Sequence, residues 1–388
     1  MFSVHSFVLD VLGTPVLVEI SGDEAASARD SAVRVWGGLV IEAPGAAMPA
    51  DARRLQFFVD HESAVDSFLD ELSSKATLAG IEARSGELLM LHAAGLADPE
   101  TGRVVACVAP SGTGKTTLSK AAAGLLRYVT DETVAVTREG AVIRYPKPLS
   151  VKQRQEAGWL PKLQRRPESF GLEVADGEGL ALGAVLLLRR RSADDEDGSG
   201  DPGLEPVELF EAMVHIVREL SYLGRMPEPL HWLAGTLCSV GGVRRLNYRE
   251  ADQAIVVIRS LLGSAPAVDP SAGSKMLERS DDELRRWESA LTAAAGTRSA
   301  RRPFARLGAE IDDLLVDPER GQALVFIGGT VSLISSIAGV ALVAARHGLD
   351  DSQLRECLIG LFGDPGDAEG DPIGEVVAAL LEHGMLVE

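Results

Sequence analysis

The feature that most constrains this chain is a short glycine loop, residues 109–116, which reads Ala-Pro-Ser-Gly-Thr-Gly-Lys-Thr. The apolar residues 104–108 precede it and predict a buried strand, and the helix formers of residues 116–126 follow it. A strand, a glycine loop and a helix in this order are typical of a phosphate-binding loop. The sequence therefore predicts an α/β domain that binds a nucleoside triphosphate.

The residues of this loop have separate predicted roles. Glycines at positions 112 and 114 allow backbone N–H groups to face phosphate oxygens, and the helix adds its positive end. Lys115 can reach the β and γ phosphates, and the Thr116 hydroxyl is placed to bind Mg²⁺. Ala109 stands where the common pattern begins with Gly, and it keeps that position small. The predicted nucleotide-binding residues are Ser111, Gly112, Thr113, Gly114, Lys115, Thr116 and Thr117.

Two acidic residues and one histidine lie near the loop in the predicted sheet. Asp131 and Glu132 belong to a strand expected at 127–136, and His92 belongs to one expected at 88–94. Strand ends of an open α/β sheet converge on one crevice, so the acids can face the phosphates. Because successive strand residues point to opposite faces, one acid is expected at Mg²⁺ and the other as a base. The alternatives are a solvated strand end for the acids and a core position for His92.

Composition and charge exclude several classes of protein. A length of 388 residues predicts two or three domains, and the formal charge of -19 works against nonspecific binding to nucleic acid or anionic membranes. Residues 1–19 do not read as a signal peptide. Glycine and serine dilute the longest apolar run, 326–345, so a buried helix is expected there instead of a membrane span. A reducing cytoplasm fits the sparse cysteines, Cys107, Cys238 and Cys357.

Changes in composition predict four regions: an α+β lead-in domain (1–84), a P-loop nucleotide-binding domain (85–262), a linker with one helix (263–303) and a small C-terminal domain (304–388). In the first region, strands are expected at 7–12 and 16–20, and a helix at 61–78. The second adds strands at 141–145 and 181–188, a helix at 206–223, a strand and helix within 243–262, a basic irregular segment at 151–171 and an acidic loop at 194–203. The last two regions contribute a helix at 281–294 and a hairpin at 311–316 and 323–327.

Four segments in order resemble the HPr kinase/phosphorylase family, and more closely its divergent relatives associated with peptide-modifying pathways. They are residues 91–94 (Leu-His-Ala-Ala), 109–117, 129–132 (Val-Thr-Asp-Glu) and 145–152 (Tyr-Pro-Lys-Pro-Leu-Ser-Val-Lys). The likeness spans about residues 88–262 and implies the P-loop fold shared with phosphoenolpyruvate carboxykinases. The family usually has two aspartates where this chain has Asp131 and Glu132, and the glycine-rich signature of its bacterial members is not found in this sequence.

This resemblance implies an ATP- and Mg²⁺-dependent kinase that phosphorylates a hydroxyl. Asp131 would take the hydroxyl proton with help from His92. Thr116 and Glu132 would hold Mg²⁺, with Asp131 as a further ligand, and Lys115 would stabilise the transferred phosphoryl group. HPr kinases assemble into oligomers, so the likeness also implies a homo-oligomer. Further candidates for stabilising the phosphoryl charge are Arg189, Arg190 and Arg191.

The C-terminal region, 304–388, resembles the PqqD-like domain, a small winged-helix module that captures leader peptides. The likeness rests on residues 312–318 (Asp-Asp-Leu-Leu-Val-Asp-Pro), a following strand and the ending 376–387. Residues 326–329, Phe-Ile-Gly-Gly, stand where the usual Leu-Asn would be. The resemblance implies capture of an extended peptide along a strand edge. A packing or dimerisation domain is the alternative, and the acidic segment has no basic recognition helix for DNA.

The leading hypothesis is therefore a kinase that phosphorylates a hydroxyl, such as a Ser side chain on a peptide recruited by the C-terminal domain. One alternative is a nucleotide-dependent switch or NTPase, in which hydrolysis drives a conformational change. Another is a small-molecule phosphotransferase with a purely structural C-terminal domain. Little ATP turnover without an acceptor would favour the kinase over the switch.

Overall fold

The computed structural model describes residues 3–41, 52–153, 161–192, 201–264, 271, 273–296, 301–364 and 370–388. Over these residues the protein is mixed α/β, with several sheets and ten α-helices. Contacts divide the chain into two compact units. The first consists of Met1–Glu208, Arg218–Met226 and Val240–Asp269, and the second of Leu209–Val217, Pro227–Ser239 and Pro270–Glu388.

The N-terminal part of the first unit is a four-stranded sheet covered by two helices. Its elements are β1 (His5–Val11), β2 (Thr14–Ser21), α1 (Ala25–Trp36), β3 (Val40–Ile41), β4 (Arg53–Phe58) and α2 (Val65–Ala83). The strands lie in the order β3-β1-β2-β4, with β1 and β2 forming the hairpin that their alternating apolar residues predict. The helix expected at 61–78 starts and ends later, as α2. Helix α1 was not predicted, because alanines supply most of its buried face.

The rest of the first unit forms a nine-stranded sheet, a two-stranded sheet and two helices. In chain order, with α4 and α5 belonging to the second unit, the elements are β5 (Leu89–Ala97), β6 (Arg103–Val108), α3 (Lys115–Ala121), β7 (Arg127–Thr130), β8 (Thr133–Val136), β9 (Val142–Ile143), β10 (Leu149–Val151), β11 (Leu163–Arg165), β12 (Ala181–Arg190), β13 (Gly203–Val207), α4 (Leu209–Val217), β14 (Leu220–Ser221), α5 (Pro229–Ser239), β15 (Val243–Tyr248) and α6 (Ala251–Ser264).

The large sheet places the glycine loop at its centre. Its main order is β13-β15-β12-β6-β5-β8-β9, and β7 and β14 also pair with β5. Strands β6, β12 and β15 are parallel neighbours, and β5 is antiparallel to β6. The nearly continuous burial of β6 and β12 is typical of parallel strands covered on both faces. The loop after β6 therefore emerges beside the segment that joins β7 to β8, since both β6 and β7 pair with β5.

Two predictions near the loop were wrong in their extent. The helix expected at 116–126 ends at Ala121, and Gly124 follows with a left-handed φ of 72° that a continuing helix does not contain. The strand expected at 127–136 is interrupted between β7 and β8. There the Thr130 hydroxyl accepts hydrogen bonds from the backbone N–H groups of Glu132 (3.2 Å) and Thr133 (3.3 Å), which bends the chain at the acidic pair.

Two more predicted elements are shorter than expected. The helix expected at 206–223 is only α4, because residues 203–207 instead form the edge strand β13, where Pro206 is tolerated. Tyr222 then has a φ of 55°, which is incompatible with an α-helix. The strand expected at 141–145 is reduced to β9, whereas those expected at 181–188 and within 243–262 are present as β12 and β15.

The second unit packs antiparallel strands against helices. Besides α4 and α5 it contains α7 (Ser274–Ala295), β16 (Arg306–Leu307), β17 (Ile311–Asp317), β18 (Gln322–Ile327), β19 (Thr330–Ser335), α8 (Ser336–His347), α9 (Asp351–Phe362), α10 (Pro372–Glu382) and β20 (Leu386–Val387). Strands β17, β18 and β19 form one antiparallel sheet in that order, and β16 pairs with β20. The core contains Trp287, Val325, Val340 and Leu354. The predicted hairpin is present as β17 and β18.

The apolar run 326–345 is divided between the end of β18, strand β19 and most of α8. No helix in the described part of the chain has both the length and the apolar character needed to cross a membrane. Several sequence predictions fall on residues outside the described ranges. These residues are 154–160 of the basic segment, 194–200 of the acidic loop, and 265–270, 272 and 297–300 of the expected linker.

Candidate functional site

The glycine loop connects β6 to α3 through two left-handed glycines. Gly112 has a φ of 87° and Gly114 a φ of 106°, a region that side-chain-bearing residues rarely adopt. A Cβ atom at either position would meet nothing within 4 Å. Glycine is therefore needed for the backbone conformation and not for internal packing. The loop is further held by Thr113, whose hydroxyl donates to the Pro110 carbonyl at 2.9 Å.

Lys115 is folded back onto the loop. Its side chain is buried, with 7% of the residue exposed, and Nζ donates to the carbonyl oxygens of Ala109 and Pro110. Burial lowers the pKa of Lys115, against the opposing influence of Glu219, Glu132 and Asp131. The hydrogen-bond acceptors of this ammonium group are thus neutral carbonyls, which bind a cation less strongly than a phosphate oxygen does.

Asp131 links the glycine loop to the acidic bend. The Thr116 hydroxyl donates to Asp131 Oδ2 at 3.0 Å, and the hydroxyl of the fully buried Tyr128 donates to Oδ1 at 3.1 Å. Asp131 is itself only 7% exposed. Both of its carboxylate oxygens are therefore held by neighbouring hydroxyl groups, and one of these is the predicted magnesium ligand Thr116.

Glu132 forms an ion pair with a lysine that was not predicted as a site residue. Lys147 Nζ lies 2.7 Å from Glu132 Oε2 and 3.7 Å from Asp131 Oδ1. Burial acts to raise the pKa of Glu132, but Lys147 outweighs it and holds the pKa below its ordinary value. Likewise, burial opposes the charge of Lys147, while Glu132 and Asp131 raise its pKa. The available sequence signal was a single lysine between two prolines, Pro146 and Pro148.

His92 lies on β5 beside the same acidic bend. Its Nδ1 is 3.1 Å from the Glu132 carbonyl oxygen, and its backbone N–H donates to the Glu219 carbonyl at 2.7 Å. Burial, followed by the nearby Lys115, lowers the pKa of His92 and favours the neutral ring. In that form a proton on Nδ1 donates to the carbonyl, which leaves Nε2 as an acceptor.

These groups line one cavity of about 360 Å³, a size suited to a small ligand. All predicted site residues contribute to its wall except Thr113 and the arginines Arg189, Arg190 and Arg191. The wall also contains residues that were not predicted as site residues. They lie on α2, at the end of α3 and around β10 and β11, where their residue types form no distinctive pattern. They are Asp70, Ser73, Ser74, Lys120, Lys147, Ser150, Val151, Lys152 and Lys162.

The chemistry of this cavity fits Mg²⁺ held together with a triphosphate. Within the described ranges, no three His, Cys, Asp or Glu side chains are grouped to hold a metal ion by themselves. Magnesium at a nucleotide typically takes one or two carboxylates and completes its shell with phosphate and water oxygens. The Thr116 hydroxyl and the Asp131 carboxylate, 3.0 Å apart, are donors of this kind.

A scan against models of known protein families finds none that matches this chain. A search of curated proteins likewise finds no match. Assignment of a function therefore depends on the sequence motifs and on the geometry described above.

Proposed function

We propose that this protein transfers the γ-phosphoryl group of ATP, in the presence of Mg²⁺, to a hydroxyl group such as a Ser side chain of a peptide. The proposal depends above all on the 3.0 Å hydrogen bond between Thr116 and Asp131. This bond joins a phosphate-binding loop to an acidic pair, and phosphoryl transfer requires both parts. Lys115 and Glu132 line the same cavity.

The loop supplies the binding of the triphosphate. The left-handed glycines Gly112 and Gly114 free the backbone N–H groups of the loop for phosphate oxygens. Lys115 exchanges its neutral carbonyl partners for a charged oxygen, which forms the stronger hydrogen bond. Bound Mg²⁺ would neutralise charge on the β and γ phosphates. Thr116 and a carboxylate of the acidic pair would provide its protein ligands.

The acidic pair also supplies the base. One carboxylate accepts the proton of the acceptor hydroxyl while the new O–P bond forms and the bond to the departing ADP breaks. His92 is in hydrogen-bond contact with the backbone of Glu132 and presents a neutral ring next to the pair. Two carboxylates in different surroundings allow one to serve the metal and the other the acceptor.

The extent of the cavity favours a kinase over a nucleotide switch. The wall continues from the acidic pair to Asp70, Ser73 and Ser74 on α2 and to Ser150 on β10. This polar surface lies outside the glycine loop and offers hydrogen-bonding groups to a second substrate. A protein that hydrolyses a triphosphate without a second substrate needs space for only one water molecule at this position.

The second unit supports a peptide as that substrate. Strand β19 is an edge strand, since β18 is its only partner among the described strands, and helix α4 also contacts it. Leu333 on β19 is 41% exposed. An extended peptide can add to such an edge as a further strand, with side chains giving specificity. This arrangement agrees with the PqqD-like resemblance of the C-terminal region.

The decisive experiment is mass spectrometry of Ser-containing precursor peptides after incubation with the protein, ATP and Mg²⁺. We expect one peptide to gain the mass of a phosphoryl group on Ser and to lose this gain with Asp131→Asn. No gain on any peptide, or a gain that survives the Asn variant, would contradict the proposed kinase. Rapid ATP hydrolysis without any acceptor would instead support the nucleotide switch.

A separate variant distinguishes peptide from small-molecule acceptors. Removal of residues 304–388 is unsuitable, because Trp287 of α7 packs in the same core as Val325 and Val340 and would be exposed. Leu333→Asp changes the exposed side of β19 and leaves that core intact. We expect it to reduce peptide phosphorylation without changing ATP binding. Equal phosphorylation by the variant and the unchanged protein would count against peptide capture at β19.

A further inference from the structure

Lys147 is a fully enclosed charged side chain that the proposed mechanism does not yet use. It is 1% exposed, and Nζ donates to Glu132 Oε2 at 2.7 Å, to Ser73 Oγ at 3.3 Å and to the Pro148 carbonyl at 3.2 Å. All three ammonium protons therefore have acceptors. Burying a charge is unfavourable unless it is paired and hydrogen-bonded, so this lysine belongs to a specific arrangement of charges.

Lys147 lies closer to one of the two acids than to the other. Its ammonium group is in direct contact with Glu132 but 3.7 Å from Asp131. Asp131 is held instead by the hydroxyls of Thr116 and Tyr128, which are neutral donors. A divalent cation is repelled by an ammonium group, and this repulsion is weaker beside the carboxylate that lies farther from it. The position beside Thr116 and Asp131 is therefore the more favourable one for Mg²⁺.

The exposed fractions of the two side chains lead to the same assignment of roles. The side chain of Asp131 is 4% exposed, whereas that of Glu132 is 35% exposed. Glu132 is thus the carboxylate that an incoming hydroxyl can reach. The third partner of Lys147, Ser73, lies on the wall formed by α2, outside the glycine loop.

We infer that the buried ammonium group of Lys147 pairs with Glu132 and leaves Asp131 as the carboxylate that binds Mg²⁺. Glu132 is then the base for the acceptor hydroxyl. Glu132 takes the hydroxyl proton as the acceptor oxygen bonds to phosphorus and ADP departs. Lys147 is a positioning residue, since it acts through Glu132. This assignment is the reverse of the roles implied by the family resemblance. It presupposes the magnesium site of the proposed function, but it is testable without any phosphoryl transfer.

The first test measures Mn²⁺ binding by electron paramagnetic resonance, with a non-hydrolysable ATP analogue present. We expect Asp131→Asn to weaken Mn²⁺ binding by about tenfold or more, the usual effect of losing a metal partner. Glu132→Gln should weaken Mn²⁺ binding less than Asp131→Asn does, because it removes no metal partner and leaves only the ammonium group of Lys147 without its nearest carboxylate. The opposite order of the two variants would overturn the inference, whether or not any acceptor is ever found.

The second test removes the ammonium group of Lys147. In the absence of nucleotide, we expect Lys147→Met to bind Mn²⁺ about tenfold more tightly, because two neighbouring carboxylates are then free of the ammonium group. Lys147→Arg, which keeps the charge, and the double variant E132Q/K147M, which removes both charges, should return the affinity to its original level. A folded Lys147→Met with unchanged Mn²⁺ affinity would overturn the inference. If thermal melting shows that this variant does not fold, the comparison of Asp131→Asn with Glu132→Gln decides.

Discussion

The hydroxyl of Thr116 donates a 3.0 Å hydrogen bond to Oδ2 of Asp131 and so connects the first turn of α3 to the bend between β7 and β8. The two residues belong to segments that are separated by the end of α3 and the whole of β7. Their contact brings the glycine loop and the acidic pair together at one cavity. Changes on either side of this bond should therefore affect the same ligand.

Loss of the loop lysine should weaken nucleotide binding. A hydrogen bond to a charged group contributes about 1.5–3 kcal/mol, so we expect Lys115→Met to raise the Kd for ATP by roughly 10- to 100-fold. Lys120→Met is the matched control, because Lys120 lines the same cavity but lies over the Phe170 ring, 4.2 Å from its centroid. Isothermal titration calorimetry measures both. Similar losses for the two variants would contradict a specific role for Lys115.

The left-handed glycines should affect stability and binding separately. We expect Gly112→Ala to cost about 1–2 kcal/mol in the free energy of unfolding, since φ is positive there. Its methyl group should also obstruct the phosphates and abolish ATP binding. Gly124→Ala has a similar backbone constraint, with a φ of 72° and no atom within 4 Å of the added Cβ, but it lies outside the cavity wall.

Denaturant unfolding and ATP titration together check this prediction. Both alanine variants should lose stability, and only Gly112→Ala should lose the nucleotide. Unimpaired ATP binding by Gly112→Ala would show that the backbone of the loop does not approach a phosphate.

Two buried tyrosines allow the hydroxyl partner of Asp131 to be tested. Tyr128→Phe removes a donor to a carboxylate and should lower the free energy of unfolding by about 1.5–3 kcal/mol. Tyr145→Phe removes a neutral hydrogen bond with Thr77 (2.8 Å) and should cost about 1 kcal/mol. Only Tyr128→Phe should weaken Mg²⁺-dependent ATP binding, as measured by calorimetry. A stronger effect of Tyr145→Phe on binding would argue against Asp131 as a metal partner.

The second unit should show a pH-dependent stability due to His231. Its Nδ1 lies 2.9 Å from Asp313 Oδ1 and its Nε2 lies 3.2 Å from Asp281 Oδ1. Burial would lower the pKa of His231, but Asp313 and then Asp281 raise it above 6.5. The folded state therefore favours the protonated ring. This contribution is fully present below pH 6.5 and is lost as the pH rises through the higher pKa of the folded state.

We expect His231→Gln to flatten this part of the pH profile in denaturant unfolding of the full chain. His383→Gln, at an exposed position whose ring nitrogen contacts the Ala379 carbonyl, provides a histidine replacement outside the cluster. The same pH dependence in the unchanged protein and in His231→Gln would exclude the proposed coupling.

Local patterns predicted a useful part of the fold and of the candidate site. The strands around residues 88–94, 104–108 and 181–188 and the C-terminal hairpin follow from the periodicity of apolar residues, which any sheet must bury. The glycine loop is equally local, because its backbone conformation depends on Gly112 and Gly114 themselves. These features identified every residue of the glycine loop that lines the cavity, and of the predicted loop residues only Thr113 is outside its wall.

Element ends were less predictable, because they depend on contacts that are distant in sequence. The strand expected at 127–136 bends at Asp131, where β5 pairs first with β7 and then with β8. The helix expected at 206–223 is shortened because Gly203–Val207 pairs with β15 at the edge of the sheet. Helical periodicity in this segment did not reveal that competition.

By itself, the sequence determined that a glycine loop lies between a buried strand and a helix, because the positions of glycine and of apolar residues control the backbone over only a few residues. Only the tertiary structure decided how the acids are paired. Lys147 reaches Glu132 from 15 positions along the chain and Ser73 from 74 positions away. Such a charge pair depends on which segments the sheet brings together and on how deeply these segments are buried. The spacing of residues along the chain predicts neither of these properties.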